Sequence, residues 1–253
     1  SALEAVTRLS PGDERLYPQL AEGYFHLGRL DDAVVTFVEL AELFERRGQT
    51  EAALGVYRGI VQLRPDFGPA RLKLAEAALR HGQLEEAATE LEELAEAYVQ
   101  LGNVELALNV LRRALAIWQG RDARRALAVR EQMARLAPND VSVRRDLMAA
   151  YLQLGQSSRA VAEGRAFADE LLRSERLEEA VLVLGDVLKL DPWNLALLEH
   201  LGDLHARLGN TAEATMLFER LLALAPPEPL RQAVAARLAV LQLPQEGKDG
   251  AVV

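Results

Sequence analysis

Proline and glycine keep a fixed distance along this chain. Pro11 precedes Gly28, Pro65 precedes Gly82, Pro138 precedes Gly155 and Pro192 precedes Gly209, each pair seventeen positions apart. Between the members of each pair, apolar residues recur at three and four, as in Ala70 to His81 and Leu195 to Leu208, which is the period of an amphipathic helix. A second such stretch follows each glycine, with alanine at the fifth position beyond it: Ala33, Ala87, Ala160 and Ala214. Glycine permits the left-handed residue that ends a helix, proline lacks the donor that a helix start leaves idle, and a small residue lets two helices approach closely. The spacing therefore predicts helix, turn, helix, repeated. Composition agrees: half the residues are hydrophobic and only 5% aromatic, which suits helices packed through alanine and aliphatic side chains.

The segment from Leu195 to Glu228 resembles the tetratricopeptide repeat over its whole length of about 34 residues. The residues that carry the resemblance are Leu201, Gly202, Gly209, Ala214, Phe218 and Pro226, with Leu198 where the motif has its first tryptophan. Val34 to Phe67 is similar through Phe37, Leu40, Ala41, Phe44, Gly48, Ala53, Tyr57 and Pro65. One departure is that Gly48 follows Gly28, and Gly102 follows Gly82, by only twenty positions. One helix separates each pair, so Thr36 to Phe44 closes one repeat and opens the next. The resemblance implies an all-α fold, an alpha-alpha superhelix of about 13–14 antiparallel helices.

The periodicity predicts helices near 2–9, 15–27, 31–46, 50–63, 69–81, 84–101, 104–118, 122–136, 141–154, 157–173, 177–190, 194–208, 211–224 and 229–241. Residues 1–243 read as one repeat array, with no linker that would divide it. Residues 244–253 lack a periodic apolar face and read as a disordered tail. Ala2 to Pro11 reads as the last half of a second helix, so the array is expected to begin mid-repeat, as a fragment of a longer protein. Leu230 to Leu243 reads as a capping helix.

Chemistry-bearing motifs are sparse. The four histidines are His26, His81, His200 and His205; the last two are five apart on one helix, whereas a metal pair wants three or four. There is no HExxH, no phosphate-cradling glycine loop and no GxSxG elbow. Ser157, Ser158 and Ser174 fall in turns and read as helix caps. No catalytic residue, cofactor or metal site is expected, and the chain reads as a non-enzyme. Without cysteine there is no disulfide framework or thiolate site.

Tetratricopeptide domains bind a peptide or helix in a concave groove lined by the first helix of each pair. The resemblance places Glu22, Lys73, Glu76, Arg80, Arg145, Asp146, Gln153, Glu199, Asp203 and Arg207 there. The clamp that holds chaperone C-termini needs lysine and asparagine on these faces, and only Lys73 is present, so chaperone-tail binding is not expected.

Charge adds a second feature. From Gly82 to Val110 there are seven glutamates and no Lys or Arg; then come Arg112, Arg113, Arg121, Arg124 and Arg125, the head of an arginine cluster that runs on to Arg145. Either neighbouring helices neutralise one another, or the reversal is a basic patch that steers a partner. The net charge of −9 argues against a general nucleic-acid surface. No apolar run approaches the roughly 20 residues of a membrane span, and the cytoplasm is the default compartment. These observations predict a protein-interaction scaffold or adaptor of a larger bacterial protein, with a protein or peptide partner. The alternatives are a sensor segment of a signalling or transcriptional regulator, and a self-assembling scaffold.

Overall fold

In a computed structural model, which describes residues 12–242, these residues form thirteen helices: α1 (Leu16–His26), α2 (Leu30–Arg46), α3 (Thr50–Leu63), α4 (Gly68–Arg80), α5 (Leu84–Gln100), α6 (Val104–Trp118), α7 (Ala123–Leu136), α8 (Val141–Gln153), α9 (Ser157–Arg173), α10 (Leu177–Leu190), α11 (Leu195–Arg207), α12 (Thr211–Ala223) and α13 (Glu228–Gln242). There is no strand among the described residues. The expected helix at 2–9 and the tail at 244–253 lie outside them. The remaining boundaries agree with the periodicity to within one or two residues, including three helices between Pro138 and Pro192 and four between Pro65 and Pro138. The helices group into two compact units divided between Leu136 and Ala137. Within each unit every helix packs on its sequence neighbours, so each is an all-α helical repeat. No described helix is long and apolar enough to cross a membrane.

One turn recurs. At Gly82 the backbone φ is +75°, the Gly82 N–H donates to the Leu79 carbonyl at 3.1 Å and the Gln83 N–H to the Ala78 carbonyl at 2.9 Å. These two bonds satisfy carbonyls that a helix end leaves idle, and they need a left-handed residue between them. The same pair of bonds closes α1, α2, α5, α8, α9 and α11. At the end of α9 the left-handed position is held by Glu175, φ +57°, which is why the sequence shows no glycine there.

The turn delivers the chain straight into the next helix, and the fifth residue beyond it is wholly buried every time: Ala33, Ala53, Ala87, Ala107, Ala160, Ala180 and Ala214 are each 0% exposed. These starts need no side-chain cap. Gln156, not a serine, stands at the cap of α9 and makes no capping bond; Ser157 and Ser158 lie inside the first turn, and the Ser174 hydroxyl instead donates to the Glu170 carbonyl at 3.0 Å. Side-chain caps appear where no such turn precedes the helix. Asp122 accepts from the N–H groups of Arg124 and Arg125, Asp140 from Ser142 and Val143, and Asn194 from Leu197.

Packing across each pair follows a small-to-large rule at a spacing of sixteen. Ala21 and Phe37, Ala41 and Tyr57, Ala75 and Leu91, Ala95 and Leu111, Ala168 and Leu184, and Gly202 and Phe218 all keep it. At Gly202 a methyl group would overlap the Phe218 ring. One register is inverted: Met148 occupies the small position and Gly164 the large one, where a methyl would meet the Met148 side chain and Val187. The bulky side chain comes from the other helix here, and the small residue opposite makes room for it, as a close-packed interior requires.

A second constraint ties a helix pair to the loop that precedes it. Arg71, 7% exposed, donates from Nε to the Pro65 carbonyl at 2.9 Å and from Nη1 to Glu90 at 2.7 Å. Arg144 repeats this with the Pro138 carbonyl at 3.0 Å and with Glu163. At the corresponding places after Pro192 stand Leu198 and Leu217, both buried, and the Pro192 carbonyl accepts from Arg220 at 2.6 Å. An ion pair and an apolar pair thus serve one position, consistent with the near balance between desolvation and attraction inside a protein. The cost is visible at Glu90, where burial pushes the carboxyl up against the opposing pull of Arg71.

Two outcomes test these rules. Glu175→Gly relieves a left-handed non-glycine residue and should raise unfolding free energy by about 1 kcal/mol; no gain in urea melts would mean that Glu175 is not strained. Gly164→Ala should destabilise by about 1–3 kcal/mol, and adding Met148→Ala should recover part of that loss in a double-mutant cycle. Strict additivity would refute the inverted pair.

Candidate partner-binding groove

The ten groove candidates fall in both units, and most are already engaged. In the first unit α4 presents Lys73, Glu76 and Arg80. Lys73 reaches Glu42 at 3.2 Å and Arg80 reaches Glu45, both on α2, while Glu76 faces Arg113 of α6 at 3.7 Å. Charges on α4 therefore tie helices two apart in sequence. Each pair is partly exposed, so each is worth about 0–1 kcal/mol and positions side chains more than it stabilises. Beside them Tyr57 is 0% exposed, and burial, with Glu45 and Glu42 acting in the same direction, holds its phenol neutral. Glu22 stands apart on α1, 3.9 Å from His26, both well exposed.

In the second unit α8 and α10 line a cavity of about 700 Å³. Val141, Met148, Leu152 and Leu190 give it an apolar wall, and Arg145, Asp146, Asp186 and Lys189 give it charge. Asp186 accepts from Arg145 at 2.7 Å and from Lys189 at 2.8 Å. Burial pushes its carboxyl up, but these two cations outweigh burial and hold it below its ordinary value. A second opening of about 300 Å³ shares Arg145, Asp186 and Lys189 and is walled by Leu182 and Met216, which are 55% and 60% exposed. Of the sequence candidates, Arg145 and Asp146 belong to the larger cavity; Gln153 ends α8 and does not line it.

Asp146 makes no hydrogen bond or ion pair among the described residues, which leaves it as a free acceptor at the rim. Glu199 and Asp203 lie one turn apart on α11, and Arg237 of α13 bonds to both, at 2.9 and 3.0 Å. α13 thus places its own cation on that face. Arg207 lines a further opening there with His200 and Asp203. Lys189, Asp186, Leu182 and Met216 were missed from the sequence, because they sit on α10 and α12 and the family pattern directs attention to the first helix of each pair. Their exposure as large apolar or singly charged residues on otherwise buried faces is the structural sign.

The basic patch is partly spoken for. Arg113 faces Glu76, Arg125 lies over the Trp118 ring at 4.5 Å and 4.0 Å from Asp122, and Arg112 bonds only to the neutral Asn109. The side chains of Arg121 and Arg124 have no partner among the described residues. Among those residues no three His, Asp or Glu side chains gather in a way that could hold a metal ion.

Comparison with known proteins agrees with this construction. Tetratricopeptide repeat models match residues 45–97 and 171–238 in one case and 90–137 in another, more than half of the chain between them. No curated protein sequence matches. Among solved structures, MamA from Desulfovibrio magneticus is 18% identical over 76% of this chain and 94% of its own, with a TM-score of 0.33. The Cut9 and Hcn1 hetero-tetramer of the APC/C is 16% identical over 90% and 46%, TM-score 0.31. TTC0263, a thermophilic TPR protein of Thermus thermophilus, is 19% identical over 81% and 99%, TM-score 0.27. The repeat models cover the turns at Gly48, Gly82, Gly102, Glu175 and Gly209 and the buried alanines that follow them, and on their match over more than half of its length the chain belongs to the tetratricopeptide repeat family.

Proposed function

We propose that the chain is a non-catalytic interaction scaffold whose second unit holds an extended or helical segment of a protein partner between α8 and α10. Tetratricopeptide repeats serve protein interaction in general; the finer reading rests on the cavity of about 700 Å³, a volume suited to several side chains. Its apolar wall would take the partner's aliphatic or aromatic residues, and Asp146 would take a donor. Arg145 and Lys189 are held by Asp186, so an acidic partner group would have to exchange with that carboxylate. Such exchange favours selectivity over raw affinity, since each new pair replaces an old one.

Two measurements bear on this reading. Benzoylphenylalanine at Ala149, photolysed in source cells, should give a discrete protein adduct that fades in an Asp146→Arg background; equal adducts from the probe at Val240 would sink the groove assignment. The rim lock has its own signature in stability against pH. Because the Asp186 pKa in the folded chain lies below the ordinary 3.8, its pairing stabilises at higher pH and that contribution is lost as pH falls through the folded value. Asp186→Asn should therefore be less stable than the parent at neutral pH, and the gap should close in acid. A gap independent of pH would show that Asp186 acts through packing.

A further inference from the structure

The glutamates and arginines that adjoin in sequence do not neutralise one another. Glu86 takes a bidentate bond from Arg58 of α3 at 2.6 and 2.8 Å. Glu90 and Glu93 take Arg71 of α4, and Glu92 accepts from the Trp118 indole. None of the seven glutamates between Gly82 and Val110 has an ion pair with an arginine from position 112 onward among the described residues. Among the arginines at 112, 113, 121, 124, 125, 130 and 135 the sequence places only Asp122 and Glu131, and of these arginines Arg113 also meets Glu76, in a chain whose net charge is −9. Two of them are also in the wrong place for stability. Arg121 and Arg124 flank the start of α7, where the helix dipole is positive and a cation is unfavourable by a few tenths to about 1 kcal/mol.

We propose that Arg112, Arg121 and Arg124, at the α6–α7 end of the first unit, form a docking surface for an acidic segment of a partner protein. All three are exposed, and none has an acidic partner among the described residues. The occupant is a short acidic peptide segment rather than nucleic acid for two reasons. A long polyanion meets the whole chain's negative charge, whereas a short segment meets only the field within a Debye length of about 8 Å. Single-stranded nucleic acid also wants exposed rings to stack on, and the aromatic residue here, Trp118, is 3% exposed with Arg125 laid over it. This surface is separate from the α8–α10 groove, so either assignment can fail without the other.

The test uses the whole chain and a fluorescein-labelled alternating Asp-Glu dodecapeptide, read by fluorescence anisotropy at about 50 and about 200 mM salt. The parent should bind at low salt and weaken at high salt. Arg112→Glu/Arg121→Glu/Arg124→Glu should bind about tenfold more weakly or worse, while Arg46→Glu/Arg173→Glu/Arg231→Glu, which changes net charge equally, should bind nearly as the parent does. Circular dichroism melts should show the first variant folded; if it is not, the triple Gln variant carries the comparison and should show a smaller loss of the same kind. Absence of parent binding at low salt, an equal loss in the control, or tighter binding of a labelled oligothymidylate of the same length would each overturn the proposal.

Discussion

Seven helix pairs among the described residues each turn on a single residue held at positive φ. That residue turns the backbone sharply enough for the next helix to run back along the last, and the alanine five positions on lets the two axes come close. Once the distance is that short, side chains at the contact must share one volume. The sixteen-residue pairs are the record of that sharing, and the Met148–Gly164 inversion shows that either helix can supply the large residue so long as the other supplies the small one. The groove follows from the same spacing, since α8 and α10 touch and leave space between their exposed edges.

The turn glycines, the buried alanines and the helix limits were legible in the sequence because each follows from a local rule with a short period. Glu175 was not, since a left-handed glutamate has no sequence signature. Nor was the Arg71 arrangement, which joins residues six and twenty-five positions beyond a proline and becomes visible only when Arg144 is seen repeating it. The serines illustrate the opposite failure. Their capping propensity is real, but Ser157 and Ser158 fall inside the first turn of α9, one position past the cap, which Gln156 holds.

Of the groove residues, sequence position gave the helix face but not the occupancy. Lys73, Glu76, Arg80, Arg145, Glu199 and Asp203 are each engaged by a cation or carboxylate from another helix. Pairing of this kind depends on which helices lie two apart in space, which no local pattern encodes. The charge reversal near residue 110 misleads for the same reason: the arginines that answer the glutamates precede them in the chain.

Contacts in each unit run mainly between sequence neighbours, so a helix pair can come loose without the whole array losing its structure. The residues at matching places within a helix pair are of two kinds, charged after Pro65 and Pro138 and apolar after Pro192. Cooling therefore weakens the apolar pair most, whereas at Glu90 burial already favours the protonated carboxyl, so acid does not strip that charged pair of stability. One structural position is thus filled by interactions that respond differently to temperature, so the repeats of one chain need not share one thermal sensitivity.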